Sequence, residues 1–201
     1  MTRILSVFSA LTLLALAPAA MAAPSASVPA SGKLAFDVMR KGKDIGDYVV
    51  SFSGSGNDVT AKIATNISVK VPVIGVSAYR FTQSSTETWR DGKLAALVSK
   101  TDDNGTAHDI SLGASPLVPA SLWDADIVHA SKVLNTIDGS TDAIKVSNLG
   151  PESIATGSGT VKATHYALRG ALNRDLWYDG AQLVHVRLTA DDGSQVDYIR
   201  K

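Results

Sequence analysis

The chain has no cysteine at any of its 201 positions. Disulfide stapling and thiolate chemistry are both excluded, so whatever fold forms is held by its hydrophobic core. Net charge is missing too, with 19 Lys and Arg against 19 Asp and Glu. Such a balance leaves no electrostatic footprint for nucleic acid or an anionic membrane surface. A spanning helix needs roughly 20 apolar residues, and no run beyond the N-terminal region offers a second candidate. Catalytic signatures are also absent. There is no Gly-x-Ser-x-Gly, His-Glu-x-x-His or His-x-His, and Ser121 has no neighbouring base in sequence. Gly54-Ser55-Gly56 and Gly157-Ser158-Gly159 lack the Lys and the strand–loop–helix setting of a phosphate loop, so they read as turns. The pairs Asp102-Asp103 and Asp191-Asp192 lack the spaced oxygens of a calcium loop and read as turn chemistry. No catalytic residue, metal or cofactor is expected.

What is present begins with an export signal. Arg3 closes a short basic region, Ile4 to Ala17 is apolar, and Pro18 precedes the small-residue site Ala20-Met21-Ala22. That three-part order predicts a signal peptide over residues 1–22, cut after Ala22, and a periplasmic or secreted product. No Cys follows to carry a lipid anchor. Removal leaves 18 basic residues against 19 acidic ones, a net charge of −1. Residues 23–32, rich in Ala, Pro and Ser, read as a flexible leader. Residues 33–201 suit a single β-rich domain.

The punctuation of that domain is Asp-Gly or Asn-Gly, at Asp91-Gly92, Asn104-Gly105, Asp138-Gly139, Asp179-Gly180 and Asp192-Gly193. Two-residue hairpin loops need positive φ, which these pairs reach at least cost. Between the turns, apolar and polar residues alternate. Val59, Ala61, Ile63, Ile67, Val69 and Val71 share one parity, with only Thr65 intervening, as in a strand with one buried face. After Pro116 and Pro119 the period changes. Trp123, Ile127, Ala130 and Leu134 recur at spacings of four and three, predicting a helix over 120–135. The fold class expected is mainly β: a strongly curved antiparallel sheet, half-barrel or barrel-like, with that helix covering it.

The turns also contain an echo. Trp89-x-Asp91-Gly92 leads to Thr101-x-Asp103-x-Gly105, and Trp177-x-Asp179-Gly180 leads in the same frame to Thr189-x-Asp191-x-Gly193. A duplicated hairpin pair, each Trp capping one end of the sheet, and convergence on favoured turn residues both account for it.

Six residues are candidates for a ligand site: Glu87, Trp89, Trp123, His165, Tyr166 and Trp177. A two-residue loop at Asp91-Gly92 sets Trp89 opposite Leu94 and Glu87 opposite Ala96. Glu87 then shares an inward face with Trp89, Leu94 and Val98, where burial would raise its pKa. A bulge near Gln83 to Ser85 exchanges the faces, and the expectation is that outward orientation. His165 shares parity with Val161, Ala163 and Ala167 and reads as a hydrogen-bonded core residue. Core packing is the simplest account of the aromatics, and the alternative is a partly open apolar groove.

Several phrases carry a resemblance: Phe36-x-Val38-x-x-x-Gly42-x-x-Ile45-Gly46, Glu87-x-Trp89-x-Asp91-Gly92-x-Leu94, Val118-Pro119-x-Ser121-Leu122-Trp123, and His165-Tyr166-x-Leu168 through Asp175-Leu176-Trp177-Tyr178-Asp179. They resemble an uncharacterised family of exported bacterial proteins, a domain of unknown function. The opening and closing hairpins are similar to a larger periplasmic family with a curved antiparallel sheet and a central helix, an arrangement that resembles the half-barrels of lipoprotein carriers. The resemblance implies fold and compartment and no catalytic residue. The function expected is a periplasmic, non-enzymatic binding module holding a lipid or isoprenoid-like ligand between helix and sheet. The alternatives are an interaction protein docking on an envelope partner and an enzyme acting on an envelope polymer through Glu87 or His165.

Overall fold

The computed structural model describes residues 24–70 and 77–201. The expected signal peptide and the break at Pro72 to Gly75 lie outside the described residues. Six strands follow one another as hairpins: β1 (Lys33–Arg40), β2 (Lys43–Ser55), β3 (Asp58–Lys70), β4 (Ser77–Arg90), β5 (Lys93–Asp103) and β6 (Thr106–Leu112). Two short strands, β7 (Val118–Pro119) and β8 (Lys132–Leu134), flank a 3-10 turn, Ala125–His129. The chain closes with β9 (Thr141–Thr156), β10 (Gly159–Gly170), β11 (Arg174–Asp179), β12 (Gln182–Thr189) and β13 (Gln195–Arg200).

All of them belong to one sheet, ordered β6-β5-β4-β3-β2-β1-β13-β12-β11-β10-β9-β8-β7. β1 pairs antiparallel with β13, so two meanders spread from the joined ends of the chain. Laid flat, twelve steps of about 4.8 Å would part the edges by about 58 Å. Yet the edge strands β6 and β7 are joined by residues 113–117, a reach of about 21 Å at most. The sheet is therefore curled into a barrel-like shell. It is not closed, because β6 and β7 do not pair; Leu94 and Ser115 form a single isolated bridge.

The concave face is the core. Leu34, Phe36, Val38, Val50, Ala61, Leu97, Leu168, Leu176 and Leu183 are fully buried there. In β3 the predicted parity holds: Val59, Ala61, Ile63 and Thr65 are buried while Lys62, Ala64 and Asn66 are exposed. Residues 113–140, the strap, lead from β6 to β9, carry β7 and β8, and fill the concavity with Trp123, Ile127, Val133 and Leu134.

The strap is not the expected helix over 120–135. Its helical content is the 3-10 turn Ala125–His129, bounded by extended Asp124 and Ala130, and Leu122 has φ 69°. Asp and Ser favour caps, and Val loses rotamer freedom in a helix, so Ser121, Asp124, Asp126, Val128, Ser131 and Val133 weaken the helical option. Lys132–Leu134 instead pairs with β7 and β9. The apolar stripe still faces inward, carried on irregular backbone.

The expected flexible leader also differs. Ser27 is buried, its Oγ accepts from the Ala125 N–H at 3.0 Å, and Val28 packs on the core. Gly32 continues it by accepting from the Phe52 N–H at 2.9 Å.

Candidate functional site

Glu87 lies at the centre of the concave face and is fully buried. The register explains how. Trp89 pairs with Leu94 as expected, but Thr88 pairs with Ala96 and Glu87 with Leu97, leaving Ala95 as an extra residue on β5. A bulge re-aims only the strand that carries it. Here that strand is β5, so Leu97 and Ser99 turn inward and Val98 outward, while β4 keeps Ser85, Glu87 and Trp89 inside. The outward orientation expected for Glu87 is thereby overturned, as is the inward place of Val98.

Two indoles hold the carboxyl. Nε1 of Trp123 donates to Oε2 at 2.8 Å, and Nε1 of Trp89 donates to the same oxygen at 3.2 Å. Ser121 is close enough to Glu87 to favour the ionised form, although the pair lacks good hydrogen-bond geometry. Burial wins, and pushes the Glu87 carboxyl above its ordinary range against the pull of Ser121, Trp123 and Trp89. Two tyrosines fasten the same stretch of strap: Tyr48 donates to the Ser121 carbonyl, and Tyr178 to the Leu122 carbonyl at 2.6 Å. Phe52 and Trp89 meet Trp123 edge-on, with ring centroids 5.0 and 5.7 Å away. Strap and sheet are in direct contact at this point, so the groove expected there is occupied by the protein's own side chains.

A cleft of about 680 Å³ opens beside this cluster, at the end of the shell carrying the β2–β3 and β4–β5 turns. Trp89, Leu94, Pro116, Leu117 and Val118 form its apolar wall, and Asp124 and Asp126 its inner acidic end. Asp124 is 2 % exposed. Its Oδ1 accepts from the Asp126 N–H at 3.1 Å, capping the 3-10 turn, while Oδ2 has no hydrogen-bond partner. Burial raises the Asp124 carboxyl to about 7, reinforced by the charges of Asp126 and Glu87. The sequence reading missed both aspartates, because they fall among the polar positions of the helix expected over 120–135. A larger groove, about 1020 Å³, lies at the other end of the shell and touches none of the six expected residues.

The remaining three expected residues lie elsewhere. Tyr166 faces the core and meets Tyr178 at 6.2 Å. His165 and Trp177 are on the convex face, in a row with His185 across β10, β11 and β12. His165 stacks on Trp177 at 4.2 Å and contacts Glu152 and Asp175 at 3.2 and 3.1 Å. His185 contacts Asp197 at 2.9 Å, and Asp197 also accepts from Arg187 at 2.6 Å. The β9–β10 hairpin shields this row: Leu149 is an extra residue at a bulge, and the tip folds back until the Gly157 N–H reaches the Arg200 carbonyl. Trp177 therefore sits in a small second core with Ala163 and Val184. His165 makes the hydrogen bonds expected of it, but not as a core residue: it is partly exposed on the convex face, beside Glu152 and Asp175. The six do not form one site, and of them Trp89 lines the cleft of about 680 Å³.

Among the described residues no three His, Cys, Asp or Glu side chains converge on a metal position, and no helix is long and apolar enough to cross a membrane.

A family model described as a domain of unknown function, DUF6134, matches residues 36–201. No curated protein matches. A solved structure of a β-barrel-like protein of domain of unknown function DUF1849 from Brucella abortus is similar at 11% identity over 83% of this chain and 94% of that one, with a TM-score of 0.49.

Proposed function

The chain belongs to the DUF6134 family, and from that premise we propose that it is an exported, non-enzymatic binding module of the bacterial envelope, with the cleft beside Trp89 as its site. The observation that carries this reading is the cleft itself. It is an apolar-walled space of about 680 Å³ beside the buried cluster of Glu87, Trp89 and Trp123, and small-molecule sites run from about 300 to 1,000 Å³. The ligand is a molecule with a substantial apolar part, of the lipid or isoprenoid kind, lying along Trp89, Leu117 and Val118. Export rests on the N-terminal sequence pattern. A passive role rests on Glu87 and His165: one is buried against two indoles, and the other has both ring nitrogens in contact with carboxylates.

Native mass spectrometry of protein purified from its own envelope tests the reading. The expected spectrum shows an N-terminus after Ala22 and one apolar molecule released by organic extraction. A clean apo mass with no extractable lipid overturns the binding role, and an unprocessed N-terminus overturns export.

A further inference from the structure

We propose that the cleft takes a cationic amphiphile, with an ammonium or guanidinium group against the Asp124 carboxyl and an apolar body along Trp89, Leu117 and Val118. This names the ligand class for the binding reading above and rests on it.

The first support is an unmet need. Asp124 lines the cleft, is 2 % exposed, and has one oxygen bonded to the Asp126 N–H and the other without a partner. Leaving a buried acceptor unbonded costs about 1–3 kcal/mol, more for a charged one. None of the ion pairs found among the described residues involves Asp124. A donor that enters the cleft supplies the missing bond, and a cationic donor supplies the stronger one.

The second support is the surrounding charge. Asp126 shares the cleft wall, Asp91 and Lys93 stand on its hairpin rim, and Glu87 lies behind Trp89. An anionic head would meet two carboxyl groups at the inner end, whereas a cation is attracted to them and to the face of Trp89. The apolar wall then accounts for the rest of the molecule.

Proton linkage gives a signature. With the empty-site carboxyl raised to about 7, cation binding favours the ionised form. Below that pH, binding therefore releases a proton; above it, none is left to release.

Isothermal titration of the processed chain with n-octylammonium, n-octanol and octanoate at pH 8 tests the proposal. The expected result is tenfold or tighter binding of the amine over the alcohol, with octanoate weakest. Asp124→Asn, which keeps an oxygen to cap the 3-10 turn, brings the amine to the affinity of the alcohol. Ala114→Trp, at the exposed rim, weakens both. The wild-type chain provides a control independent of any substitution: at pH 5 the amine loses its advantage over the alcohol. Equal affinity of amine and alcohol at pH 8, or an advantage that persists in Asp124→Asn or at pH 5, overturns the cationic ligand while the apolar cleft stands. Binding of none of the three probes overturns both.

Discussion

Nε1 of Trp123 lies 2.8 Å from Oε2 of Glu87, a hydrogen bond between residues 36 apart in the chain. It pins the strap to β4 in the middle of the concave face. Trp89 donates to the same oxygen from two residues away, so one carboxyl holds two indoles, of which Trp123 is the largest fully buried side chain. The two indole N–H groups are satisfied by Oε2, whereas Oε1 has no hydrogen-bond partner, so the burial of this carboxyl is only partly compensated.

Glu87→Gln is expected to change stability by about 1 kcal/mol or less, since the amide oxygen still accepts from the indoles. Glu87→Leu leaves two buried N–H groups without an acceptor and is expected to cost about 2–5 kcal/mol. Urea denaturation of both variants checks the difference. Equal losses would mean that the indoles do not depend on this acceptor.

The pH dependence of Asp124 has a definite sign. Its pKa is raised in the folded state from 3.8 to about 7, so the native chain holds a proton that the unfolded chain has released. Its contribution to stability is fully present below about pH 4 and lost as pH rises through 7. Asp124→Asn should match wild type near pH 4 and exceed it at pH 8 by about 2–4 kcal/mol, because each tenfold change in proton affinity is worth about 1.4 kcal/mol. Thermal melts of both proteins across that window are the measurement. Asp192 opposes this trend, because Ser194, Arg40 and Lys41 hold its pKa far below the ordinary range. Its contribution is lost only as pH falls below about 4.

The buried indoles should respond differently to substitution by Phe. Trp177 is 2 % exposed and its Nε1 has no partner, so Trp177→Phe removes an unsatisfied donor along with some area. A change of about 1 kcal/mol or less is expected. Trp123→Phe breaks the bond to Glu87 within the main core and is expected to cost about 2–4 kcal/mol. Chemical denaturation of the pair decides it.

Gly46 has φ 151°, and an added Cβ would lie 1.8 Å from the Asn66 carbonyl oxygen on β3. Backbone cannot yield as a flexible side chain can, so Gly46→Ala is expected to cost about 3 kcal/mol or more. Gly42→Ala is the control. Its φ is 73°, but open space surrounds the new carbon, so only the conformational cost of about 1 kcal/mol remains. Urea denaturation of the two variants side by side measures the gap.

The echoed Trp-x-Asp-Gly phrases show where reading along the chain succeeds and where it stops. Both make hairpins, and both hairpins carry a bulge at the same step of their second strand, at Ala95 and at Val184. Both loops have two residues, but they are offset by one relative to the Trp. The first is Asp91-Gly92, closed by Arg90 and Lys93, whereas the second is Gly180-Ala181, closed by Asp179 and Gln182. One residue of offset reverses the facing of a strand. Trp89 therefore enters the main core, Tyr178 takes the matching place in the second hairpin, and Trp177 points to the convex side. Turn preference does not by itself separate the two frames, because Asp91 at φ 49° and Gly180 at 57° are both residue types found in the left-handed region.

Turn chemistry and period-two alternation are properties of neighbours in sequence, and they determined the class of this protein: a cysteine-free antiparallel sheet whose length forces it to curl. The apolar stripe of residues 120–135 likewise determined that Trp123, Ile127 and Leu134 face inward. Only tertiary structure decided the backbone that carries them, because pairing with β7 and β9 outcompeted the helical hydrogen bonds. It also decided the site. Bulges at Ala95 and Leu149 turn single residues across the sheet, and burial far along the chain sets the protonation of Asp124; both depend on contacts between segments that sequence spacing does not encode.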